Sequence, residues 1–177
     1  MSKIEKVDVF IDQEEIRAKV KELAGQITEY YNGEPIKMIC ILKGAVMFMV
    51  DLAKAIDLPV MLDFMSVSSY GSATVSSGHI KILKDLDSSI EGQRVLIVED
   101  IIDSGRTLYY LLNILNSRKP KSIDICTLFD KPERREFDVD VKWSGFEIPD
   151  EFIVGYGLDY DEKYRCLPYV GTLSFEE

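Results

Sequence analysis

Histidine is almost missing from this chain: His79 is the only one in 177 residues. With no second histidine, and no cysteine set beside a base, Ser-His-Asp and Cys-His nucleophilic catalysis are disfavoured. His79 follows a loop tip rather than facing an acid, and it reads as structural or exposed. Cysteine is scarce too. The three present, Cys40, Cys126 and Cys166, lack metal-type spacing, and the first two fall inside apolar strand-like runs as small buried hydrophobes. Long hydrophobic runs are absent, since the longest apolar block, Met38 to Ile56, is broken by Lys43, Gly44, Asp51 and Lys54. No membrane span is expected. The opening residues M-S-K-I-E-K-V-D-V-F carry no apolar signal-peptide core, so the expected setting is the cytoplasm. Positive charge is short as well: the formal net charge of -10 argues against a nucleic-acid partner, which demands a basic footprint. Finally, neither G-x-x-x-x-G-K-S/T nor G-x-G-x-x-G occurs, so the common nucleotide-loop signatures are excluded.

What is present suits one domain over residues 1–177, with 46% apolar and 29% charged residues. The organising stretch is Val95 to Tyr109, V-L-I-V-E-D-I-I-D-S-G-R-T-L-Y. Its four leading apolar residues predict a strand buried on both faces of a parallel sheet. Glu99, Asp100 and Asp103 then fall at the strand's carboxyl end, where open α/β sheets bind ligands at a topological switch point. Ser104, Gly105, Arg106 and Thr107 lead into an apolar helix over Leu108 to Leu115, a small-residue turn at a helix start that can cradle a phosphate. Two adjacent carboxylates can accept from vicinal hydroxyls or hold the water shell of a magnesium ion. Asp103 lies in the turn over the same site, placed to move a proton. The pattern therefore points to a polyhydroxylated, phosphorylated ligand.

Elsewhere the elements alternate. Asp12 with Glu15 predicts a capping box opening a helix to about Tyr31, stopped by Asn32-Gly33. Ile36 to Leu42 is a strand, Lys43-Gly44-Ala45 its turn, and a helix follows to about Ala55. Pro59 to Val67 reads as a strand entering S-S-Y-G-S-A-T-V-S-S-G, residues 68–78, whose composition cannot bury much and predicts a mobile lid. His79 to Leu83 would return from it. Ile123 to Phe129 is another buried strand ending at D-K-P-E-R-R, so Lys131 takes the same kind of strand-end position as Glu99 and Asp100. Trp143, the only tryptophan, is assigned to packing under a small hood built largely from residues 131–177. Leu167 to Ser174 reads as a last short strand. Alternating strands and helices predict a central parallel sheet flanked by helices.

The run V-L-I-V-E-D-I-I-D-S-G-R-T-L, with I-L-K-G-A from Ile41 and F-E-I-P-D-E-F-I-V-G-Y-G-L-D-Y from Phe146, resembles the type I phosphoribosyltransferases. Among them it is most similar to the hypoxanthine-guanine enzymes. That resemblance implies transfer of 5-phosphoribosyl from phosphoribosyl diphosphate (PRPP) to N9 of hypoxanthine or guanine, with magnesium. It implies that Glu99, Asp100, Asp103, Ser104, Gly105, Arg106 and Thr107 hold the ribose and 5-phosphate, with Asp103 as general base or acid at N7. It gives Lys43, Gly44, Ser69, Tyr70 and Arg165 to pyrophosphate, allows a cis peptide between Leu42 and Lys43, and has the lid close during catalysis. Lys131 would donate to the 6-oxo group of the purine, Phe152 would stack on it, and Ile153 would offer backbone groups to its edge. Asp159 would hold a second magnesium through water, apart from the one at Glu99 and Asp100. A homodimer or homotetramer is implied. The family often has a second glycine where this chain has Ala45.

A rival reading is a regulatory protein of the same fold that senses PRPP or a nucleotide without turnover. Against it stand the acidic charge, the absence of an added basic segment, and the joint presence of Asp103, Lys131, Phe152 and Asp159, since a binder of PRPP alone needs only the first motif.

Overall fold

The computed structural model describes residues 4–69 and 80–176. Helix α1, Gln13–Tyr31, opens on the reciprocal Asp12–Glu15 capping box and ends where Asn32 turns left-handed. Strand β2, Ile36–Leu42, and helix α2, Val46–Ala55, keep the expected bounds. Strands β3, Val60–Ser69, and β4, Ile80–Lys84, precede β5, Arg94–Ile102. Helix α3, Arg106–Asn116, strand β6, Ser122–Asp130, and β7, Trp143–Glu147, complete the main layer. Among the described residues these strands form one sheet in the order β4-β3-β2-β5-β6-β7, parallel except for β4.

Alternation along β5 explains why it lies at the centre. Leu96 and Val98 face the cluster that holds α1 and α2, whereas Val95 and Ile97 face the one that holds α3. All four are fully buried, as the unbroken apolar run requires. The chain winds outward in both directions from β2 and β5, so the switch point lies between them. Their pairing stops at Cys40 with Val98, although β2 runs on beside β3 to Leu42 and β5 beside β6 to Ile102. The sheet therefore parts at its carboxyl edge, and a crevice opens there.

A second sheet of three strands, in the order β1-β9-β8, forms the hood from β1, Ile4–Ile11, β8, Ile153–Val154, and β9, Val170–Glu176. Two expectations need correction. The hood takes an edge strand from the amino-terminal segment, while residues 143–147 join the main sheet. Trp143 accordingly does not underlie the hood. It pairs with Cys126 midway along β6 and packs edge-on against Tyr30, whose ring centroid lies 5.4 Å away. The last turn of α1 ends beside β7, and that proximity across the sequence decides the tryptophan's place. Lid residues 70–78, with Tyr70, and the histidine at 79 lie outside the described residues; Ser69 ends β3, with its side chain likewise outside them.

Candidate active site

Two cavities meet at the carboxyl edge. The first, of about 220 Å³, is lined by Glu99, Ile101, Asp103 and the turn Ser104 to Thr107. Gly105 adopts φ +78, which lets the chain swing from β5 into α3. The Ser104 carbonyl accepts from the N–H groups of Glu136 and Phe137, each at 3.0 Å, so the turn is braced from outside. At the start of α3 the Arg106 N–H meets only the Ser104 hydroxyl, at 3.4 Å, and the N–H groups of Thr107 and Leu108 are left to a ligand. Arg106 borders this cavity but spends its guanidinium on Glu136 at 3.2 Å.

The second cavity, of about 320 Å³, collects Asp100, Asp103, Lys131, Arg134, Phe152, Ile153, Asp159 and Arg165. Four separate stretches of sequence converge here. Lys131 is only 6% exposed; its N–H donates to the Ile102 carbonyl at 2.9 Å and its Nζ to the Glu151 carbonyl at 2.6 Å. Phe152 stays exposed, held edge-on by Tyr160. Ile153 is buried in the core cluster that also holds α1 and α2, and pairs with Thr172. The two acids of β5 thus serve different cavities, and Asp103 borders both.

Glycine brings the Lys43 turn close to β5 and to the Gly157 segment. A Cβ on Gly44 would stand 1.6 Å from Asp100 Oδ2, and one on Gly157 would stand 1.9 Å from the Gly44 carbonyl oxygen. Only bare backbone lets these three segments touch. The Leu42–Lys43 peptide between β2 and this turn is cis. Lys43 Nζ reaches both oxygens of Glu162 at 3.1 Å. Arg165 donates to the Gly157 carbonyl at 2.8 Å, lies 2.9 Å from Asp159 and 3.7 Å from Glu162, and keeps a buried Nε without a partner among the described residues.

Burial pushes Glu99 well above the usual carboxylate range, and the Asp100 charge adds to it. Burial also raises Asp100, against hydrogen bonds from Glu99 and the Ile101 N–H and the charge of Arg165. Beneath them burial pushes the Cys40 thiol up to about 12, with both acids acting the same way. Such a thiol stays protonated and is a weak nucleophile. A buried and a half-buried acid side by side, both with raised pKa values, favour a cation or hydroxyl donors between them. Among the described residues no basic side chain lies within 4.0 Å of either, and no group of three potential ligands is arranged to hold a metal.

Three participants were not legible beforehand. Glu162 and Asp150 carry no distinguishing neighbours, and nothing in D-K-P-E-R-R separates Arg134 from Arg135. In space they diverge: Arg134 reaches Asp103 and Asp150, whereas Arg135 turns to Asp130 and the Asp103 carbonyl.

Residues 8–161 match the phosphoribosyl transferase domain family. The hypoxanthine-guanine phosphoribosyltransferase of Bacillus subtilis is 56% identical over 166 residues, covering 94% of this chain and 92% of its own. A crystal structure of a hypoxanthine phosphoribosyltransferase from Staphylococcus aureus superposes with a TM-score of 0.91 at 52% identity, over 94% of this chain and 91% of that one. A hypoxanthine-guanine phosphoribosyltransferase structure from Bacillus anthracis, with HEPES in its active site, gives 0.92 at 49% identity over 96% and 100%.

Proposed function

This chain belongs to the phosphoribosyltransferase family, within its hypoxanthine-guanine branch, and from that premise we propose how its residues divide the work. The enzyme serves purine salvage: it transfers 5-phosphoribosyl from PRPP to N9 of hypoxanthine or guanine, giving IMP or GMP and pyrophosphate. The observation that carries the assignment of roles is the second cavity. It puts a buried lysine and an exposed phenylalanine beside Asp103 and one acid of β5. No observation favours the regulatory alternative.

In the reaction the N9 lone pair forms the bond to C1 of the ribose. The bond from C1 to pyrophosphate breaks with its electron pair leaving on oxygen, and the N7 proton passes to Asp103. Positive charge develops on the sugar and negative charge on the leaving group, so the site's contribution is chiefly electrostatic. Glu99 and Asp100 face the sugar hydroxyls. Ser104 to Thr107 take the 5-phosphate, aided by the open N–H groups of α3. Lys43, Gly44 and Arg165, with Ser69 and Tyr70 from the lid, receive the pyrophosphate, which must take the place of Glu162 on Lys43. Glu99 with Asp100, and Asp159 for a second ion through water, would hold magnesium, which would supply positive charge for the leaving group. Phe152 stacks on the base, worth about 1–3 kcal/mol by analogy with single-strand binders, and Ile153 meets its edge through backbone groups.

Among the described residues no helix is long and apolar enough to cross a membrane. A homodimer or homotetramer, working in the cytoplasm on small molecules, completes the proposal, and family membership supports it.

Base choice tests the site. One Lys131 donor is spent on Glu151 and two remain for an acceptor at C6, which adenine's amino group is not. A hydrogen bond from a charged donor is worth about 1.5–3 kcal/mol. Lys131→Ala is therefore expected to lower kcat/KM for hypoxanthine about 10- to 100-fold and to leave the residual rate on adenine nearly unchanged. Equal effects on the two bases would remove the lysine from base recognition.

A further inference from the structure

We propose that Arg134 is a positioning residue for the transfer: it holds Asp103 by one carboxylate oxygen and couples that placement to the base-binding loop through Asp150. The proposal rests on the reading of Asp103 as the proton acceptor at N7.

Asp103 stands in a turn beyond the end of β5, with nearly half of its side chain exposed. An acid so placed needs something to fix its rotamer. Arg134 Nη1 lies 3.2 Å from Asp103 Oδ2 and 3.4 Å from Asp150 Oδ1, bridging two acids that are far apart in sequence. Among the described residues Arg134 is the only side chain bonded to the Asp103 carboxylate, and Oδ1 is left free to take a proton.

The backbone leaves Arg134 little choice. Pro132 opens a 3-10 turn, Pro132–Arg134. Just before it, Lys131 is bonded through its N–H to the Ile102 carbonyl, and just after it Glu136 and Phe137 are bonded to that of Ser104. Arg135 Nε adds a bond to the Asp103 carbonyl at 3.3 Å. A turn tied at both ends to residues 102–104 delivers the Arg134 side chain over Asp103. The same segment carries Lys131, whose Nζ meets Glu151 and lies 3.7 Å from Asp150. The acid and the lysine that reads the base are thus referred to one short loop, Asp150-Glu151, next to Phe152. A base that seats against this loop meets an acid already aimed.

Exposed ion pairs contribute little to stability, so the effect of losing this one should appear in catalysis. The test is steady-state kinetics with PRPP, hypoxanthine and magnesium on Arg134→Met, Arg134→Lys, Asp103→Asn and the double variant Arg134→Met/Asp103→Asn, with thermal unfolding alongside. Small misplacement of a catalytic group costs up to about 10²-fold. Arg134→Met is expected to lower kcat about tenfold or more, with the KM for PRPP within about twofold and the midpoint of unfolding unmoved. Arg134→Lys should recover part of the loss, because an ammonium keeps a positive charge beside Asp103 but lacks the rigid planar guanidinium that sets Nη1 between both acids. The double variant should be no slower than Asp103→Asn alone. Wild-type kcat in Arg134→Met, beside a slow Asp103→Asn, would overturn the positioning role and leave the acceptor role standing. Losses that multiply in the double variant would overturn it as well. Wild-type kcat in Asp103→Asn would overturn the acceptor role and this proposal with it.

Discussion

Asp103→Ala is expected to lower kcat by about 10²- to 10⁴-fold, the usual contribution of a general acid or base, and to change the affinity for PRPP by no more than about threefold. The disparity follows from how the turn is built. Ser104 to Thr107 are held by the Glu136 and Phe137 N–H groups on the Ser104 carbonyl and by the entry into α3. Neither depends on the Asp103 carboxylate, so the phosphate cradle should survive its removal. Arg134 keeps Asp150 as a partner. What disappears is an interaction made chiefly in the transition state, when N7 becomes acidic as N9 bonds to the sugar. Single-turnover rates and equilibrium PRPP binding separate the two effects. Equal losses in both would contradict the role.

The second large effect concerns stability and lies away from the crevice. Lys37 and Asp63 form an ion pair at 2.8 Å in which neither side chain is more than 3% exposed. Lys37 also donates to Ser88 Oγ at 2.5 Å, and Asp63 Oδ1 accepts from the N–H groups of Phe64 and Asp87 at 2.9 and 3.1 Å. Removing one charge strands the other in a dry site, which costs about 3–5 kcal/mol, whereas removing both is far less damaging. Asp63→Asn should therefore lower the melting temperature by roughly 6–20 °C, taking about 2–4 °C per kcal/mol for a chain of this size. Lys37→Met/Asp63→Asn should regain most of that, since the amide oxygen of the substituted side chain can still accept from both N–H groups. Burial acts to raise the Asp63 pKa, but the hydrogen bond from Lys37 and those from Asp87 and Phe64 outweigh it and leave the group lowered. A depressed acid stabilises the fold above the ordinary carboxylate range and loses that contribution as pH falls through its own lower value. The wild type should thus lose stability below about pH 4 more steeply than Asp63→Asn. Denaturation midpoints across roughly pH 2–7 check this, and parallel curves would contradict it.

Legibility in the sequence followed the range of the interactions. Helix α1 is readable because its capping box and its buried stripe of Ile16, Val20, Leu23, Ala24 and Ile27 are local. β2 and β5 are readable because strands covered on both faces must be apolar throughout. The acids of β5, Lys131 and Phe152 stand out because strand ends and short motifs display them. β1 gives no such signal. Its residues are mostly exposed, with Val9 at 59%, and it is a strand only because β9 pairs with it from the far end of the chain. Its Glu5 accepts from Lys163 and Tyr164, which ties the hood edge to the segment carrying Glu162 and Arg165. Trp143 and Arg134 were misplaced or overlooked for the same reason: their partners, Tyr30 in one case and Asp103 with Asp150 in the other, are neighbours only in space.

The most direct test is nucleotide formation from PRPP with magnesium, measured in parallel on hypoxanthine, guanine, xanthine and adenine. Turnover of hypoxanthine or guanine with adenine inert is the predicted result. Binding of PRPP with no turnover of any base would contradict it.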